Sequence, residues 1–140
     1  MNEDFKILLE KSYNQLPNLL LERIKPFANK TGLEPKNLLR EMLKFLILCG
    51  KHEESLTPSL AVDEAWHNYI LFTKSYAIFC QNNFGKFIHH EPDENEEKNS
   101  NRYDRTIELY CDHFGQPPTK IWGEQSLKIF DNSQCGICRT

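Results

Sequence analysis

Along most of the chain, apolar residues recur every three or four positions, the spacing of amphipathic helices rather than strands. Phe5, Leu8, Leu9 and Tyr13 predict a first helix over about Glu3 to Tyr13. Leu19, Leu20, Ile24 and Phe27 form a second stripe, interrupted by Pro26 and closed by the turn signal Lys30-Thr31-Gly32. Pro35 suits a first helical position. The run Leu38, Leu39, Met42, Leu43, Phe45, Leu46 and Leu48 that follows is apolar almost all round, so this third helix, ending near Gly50, is expected at the centre. Thr57 before Pro58 reads as an N-cap and first-turn pair opening one long helix to Asn83 or Gly85. Trp66, Tyr69, Ile70, Thr73, Tyr76, Ala77 and Cys80 share its inner face. Residues 91–101 contain no large apolar side chain and read as a solvated loop. Tyr103, Ile107, Tyr110 and Phe114 predict a fifth helix ending at Gly115, with Ile121 and Trp122 as an anchor for the tail.

The expected architecture is a single all-α domain, a bundle of about five helices with an irregular C-terminal tail. In it the helix over 58–83 packs on those over 35–50 and 102–115. Residues 1–123 form the domain, and 124–140 a weakly specified, cysteine-containing tail. A length of 140 residues suits one hydrophobic core, and 9 Phe, 5 Tyr and 2 Trp supply large side chains to fill it.

Charge narrows the partners. A net charge of -3 argues against affinity built on neutralising phosphates, so no nucleic-acid partner is expected. The start MNEDFKILLEKSYNQ lacks the basic and continuously apolar regions of a signal peptide, and no span suits a membrane helix. Five cysteines without an export signal are expected as reduced thiols in a cytoplasmic protein. A protein partner and the oligomeric state stay open.

Candidate chemistry gathers in VDEAWHNYILFTKSYAIFCQNNFGKFIHH, residues 62–90. Asp63 and His67 are four apart and share a helical face. Asp63 would co-ligate a metal or orient the imidazole, and His67 would ligate or move a proton; the bland reading is an ordinary hydrogen-bonded surface pair. His89 and His90 follow the turn at Gly85, and only one of two adjacent histidines can face the site. A nearly straight return of about 20 Å offsets roughly 22 Å of helix between His67 and Asn82. Cys80 lies too far from His67 on a continuous helix to share an ion with it, and reads as a small core residue unless it meets His89 or His90. Cys111 and His113 point apart and read as structural. Cys135 and Cys138 have the spacing of a metal knuckle, without the second pair that completes a zinc cage. The chain has no phosphate loop, nucleophile elbow or His-Glu-x-x-His helix.

The segments VDEAWH, ILFTKSYAIFC, NFGKFIHHEP and YDRTIELYCDHFGQPPTKIW together resemble the bacterial branch of the glycine-rich domain-containing protein-like family, over residues 56–123. Plant members often carry a second histidine where this chain has Tyr69. The resemblance implies a small, mostly helical domain without an established activity. The reading reached is a buried polar or metal site on Asp63, His67 and His90, with His89 and Cys80 as alternates and zinc or iron as the ion. Two imidazoles, a carboxylate and an open position would let such an ion activate water. The rival is a non-catalytic interaction module in which these residues are structural.

Overall fold

The computed structural model describes residues 3–134, and all regular structure among them is helical. Helix α1 spans Glu3–Asn14, α2 Asn18–Thr31, α3 Pro35–Lys51 and α4 Leu60–Ile70. They are followed by α5 over Thr73–Phe84, α6 over Glu96–Phe114, α7 over Thr119–Trp122 and α8 over Glu124–Gln134. Eight helices among the described residues replace the expected five. One predicted helix is split, the short α7 forms at the residues read as the tail's anchor, and the segment read as an irregular tail supplies α8. Cys135 and Cys138 lie outside the described residues.

Helix α3 is the axis of the fold, in contact with α1, α2, α4, α5 and α6. Its apolar run explains this: Leu38, Met42, Leu43, Phe45, Leu46, Ile47 and Leu48 are completely buried, each such side chain contributing about 1.5–3 kcal/mol relative to exposure. Helix α2 continues through Pro26 instead of breaking there. Pro26 is exposed, so the carbonyl deprived of its partner can bond water, while Leu20, Ile24 and Ala28 stay buried one turn apart.

The long helix expected from Pro58 begins later and bends midway. Ser59, not Thr57, is the cap, its hydroxyl accepting from Val62 N at 3.2 Å, while Thr57 N donates to Thr106 Oγ1. The helix breaks at Leu71 and Phe72, where Phe72 has ψ 69°. Neither residue carries a side-chain signal for a break, and the cause is tertiary. Ten residues of straight helix would separate Trp66 from Tyr76 by about 15 Å, yet Trp66 Nε1 donates to Tyr76 Oη at 2.9 Å. Folding α5 back under α4 makes that bond and sets the Tyr69 and Tyr76 rings edge to face, centroids 5.1 Å apart.

Helix α6 starts at Glu96, inside the stretch expected to be a loop. Asn95 caps it by accepting from Lys98 N at 2.9 Å, and Glu96 and Glu97 face the positive end of its dipole. Asp93 accepts from Asn95 N and pairs with Arg102 at 3.1 Å, tying the approach to the helix it precedes. Polar capping thus supplies the order that apolar burial does not. Helix α8 lies against α6, with Ser126 buried and Ile129 and Phe130 half-buried on the core.

Candidate functional site

Helix α5 ends at Gly85, whose φ of 66° turns the chain back toward α4 at little steric cost. The returning segment is held by its backbone: Tyr76 Oη, which accepts from Trp66, donates to the Ile88 carbonyl at 2.5 Å. Burial raises Tyr76 well above the usual tyrosine range, so its hydroxyl remains a protonated donor. Two residues beyond that anchor, His90 reaches α4.

There His90 Nε2 lies 2.6 Å from Asp63 Oδ1. A carboxylate can only accept, so Nε2 carries a proton and donates it, and in the neutral form of the ring Nδ1 is the nitrogen left with a lone pair. The ring rests edge-on to Trp66, centroids 4.4 Å apart, which fixes its tilt. His90 is 19% exposed and Asp63 44%, so the pair is reachable from solvent without being bathed in it.

The pair stands on the wall of a groove of about 1070 Å³ between the α3–α4 connection and the returning segment. Its lining includes Trp66, His52, His89, Leu60 and Phe87. Glu53, Glu54, Asp63, Glu91, Asp93 and Glu94 face it against Lys86 and Arg102, making it predominantly acidic. Some of that charge is engaged: the hydrogen bond from Arg105 lowers Glu54 below the usual carboxylate value, and the Asn95 backbone N–H, then Arg102, lower Asp93.

The remaining expected residues fall elsewhere. His67 is exposed rather than inward-facing: the buried side of α4 is Val62, Ala65, Trp66 and Tyr69, and the next position after Trp66 lies past its edge. Its ring meets that of His90 edge-on with centroids 5.6 Å apart, and it does not line the groove. The partner of Asp63 is therefore the distant histidine, not the one a turn away. His89 is exposed and packs on Phe87 at 4.7 Å. Cys80 is fully buried beside Tyr76 and the Ile88 backbone, and burial raises its thiol, as it does that of Cys49. Among the described residues, no three His, Cys, Asp or Glu side chains converge to hold a metal ion.

Two polar clusters have no counterpart in the sequence reading. Glu41, in the middle of α3, is 6% exposed; its Oε1 accepts from Tyr110 Oη at 2.6 Å and from Trp122 Nε1 at 2.9 Å, and its Oε2 meets Lys44 Nζ at 2.9 Å. A Glu and a Lys three apart within an apolar run were the visible signal. At the far end of α3, His52 Nε2 lies 3.3 Å from His113 Nε2, with Phe5 stacked on His113. Burial, then the neighbouring His52, lowers His113 below the ordinary histidine value. Sixty-one residues separate the two histidines, beyond the reach of spacing arguments.

These features define a small all-helical protein with a carboxylate and imidazole pair on an acidic groove. The chain belongs to the UCP032817-like family, which matches residues 7–116. That match corrects the resemblance to the glycine-rich domain-containing proteins, and it extends over α1 to α3, which the resemblance did not cover. No curated protein and no solved structure matches the chain. No helix among the described residues is long and apolar enough to cross a membrane.

Proposed function

We propose that the groove binds a small cationic ligand through His90, with Asp63 as the residue that orients it. The observation that carries this is the 2.6 Å contact between Asp63 Oδ1 and His90 Nε2, which engages one ring nitrogen and leaves Nδ1 of the neutral ring as an acceptor, in a groove with a surplus of carboxylates. An acceptor nitrogen in negative surroundings suits either an organic ammonium group or a divalent transition metal such as zinc or iron. In the metal form, Asp63 supports His90 from behind, as carboxylates do for ligating imidazoles. A second imidazole would then come from His67, which solvent exposure leaves free to rotate toward its neighbour. Any activation of water would follow only from that form.

Titration of untagged protein with zinc, ferrous iron and a simple alkylammonium salt, beside metal analysis of the purified protein, tests the reading. His90→Ala should abolish uptake at this site, and Asp63→Asn should weaken it about 10- to 100-fold. Uptake unchanged in both variants would refute it. The interaction-module reading draws on a specific feature too, since Leu60 is 90% and Phe87 45% exposed at the groove. It predicts no cation uptake and only reduced stability in the two variants.

A further inference from the structure

We propose that His52 and His113 form a separate two-imidazole site for a divalent transition-metal cation, zinc being the probe that suits it. Their Nε2 atoms face each other at 3.3 Å, and the rings are inclined at 51°. Two nitrogens bound about 2.1 Å from one tetrahedral ion are about 3.4 Å apart, so the pair already has the bite of a chelate. Without a cation, the two lone pairs can coexist at this distance only if one ring donates its Nε2 proton to the other. A metal ion takes the place of that proton, which moves through water to the donor ring's Nδ1, so both imidazoles bind as neutral ligands with Nδ1 protonated.

The backbone around them favours positive charge. His52 is the C-cap of the 17-residue α3, and His113 lies in the last turn of the 19-residue α6, so the pair joins two helix C-termini. Each terminus carries a partial negative charge equivalent to about half an electron. The His113 ring and the backbone that carries His52 are also held in place. Phe5 stacks on His113 with centroids 4.4 Å apart, while the main chain of His52 is fixed by its N–H to the Leu48 carbonyl at 3.1 Å. Both side chains are half-buried, leaving room for water on the remaining coordination positions. The pair uses neither Asp63 nor His90, although His52 also lines the groove that holds them.

Zinc titration of the full, reduced chain, followed by imidazole ¹⁵N resonances, tests this directly. The Nε2 signals of His52 and His113 should move together with one stoichiometry. His52→Gln should weaken the response of His113 about tenfold or more, because a chelate has lost one arm; His113→Gln should do the same to His52. The His52 variant keeps the helix cap, which uses only backbone, so a folding defect in the other leaves the test intact. Zinc taken up while both rings stay still, or a His113 response as strong without His52, would overturn the proposal. His90→Ala should leave this response unchanged, which separates it from uptake at the Asp63–His90 pair.

Discussion

At the scale of single residues, the Asp63–His90 pair depends on a hydroxyl carried by a third residue. Tyr76 links Trp66 on α4 to the Ile88 carbonyl, and so sets where His90 arrives. Tyr76→Phe removes both hydrogen bonds and leaves a buried indole N–H and a carbonyl without partners. The expected cost is about 1–3 kcal/mol in urea unfolding, with His90 resonances broadened as its hold on Asp63 loosens. Asp63 and His90 were both singled out from their chemistry, and the structure brings them into contact. Their direct bond was not expected, because helical spacing points to neighbours one turn away and gave Asp63 to His67, with His90 only closing the site. The correct partner depends on a bend and a return path, and neither is written in the local pattern.

At the scale of elements, strong apolar periodicity located α1, α2, α3 and the main body of α6. The boundaries that failed were set by interactions outside that periodicity: Asn95 and Asp93 extending α6, and Trp66 with Tyr76 bending the chain at Phe72. The meeting of α3 and α5 has its own marker in Gly50, where a Cβ would lie 2.3 Å from the Phe84 ring. Gly50→Ala sets two effects against each other. Helix propensity gains about 1 kcal/mol, whereas forcing the ring aside costs about 1–3 kcal/mol. The clash should win, giving a net loss of stability by chemical denaturation. Adding Phe84→Leu should recover part of it, since the obstructing ring edge is then gone.

At the scale of the whole molecule, Glu41 ties three helices together: its carboxylate lies on α3, Tyr110 on α6 and Trp122 on α7. Glu41→Ala would strand two donors and leave the mostly buried Lys44 ammonium unpaired, with an expected cost of about 3 kcal/mol or more. Glu41→Gln retains the acceptor oxygen and should cost less, and thermal melts of the two variants would rank them. The all-helical class was legible from periodicity throughout, but this polar tie was not, because charge in a helix reads by default as solvent-facing. Phe45 sits nearby, its centroid 5.3 Å from Trp66 and 6.4 Å from Trp122. One phenyl ring is thus a party wall between the groove side of the protein and the side closed by α6 and α7. Neither household can move out without exposing the other, so the two halves are bound to a common fate when the molecule comes apart.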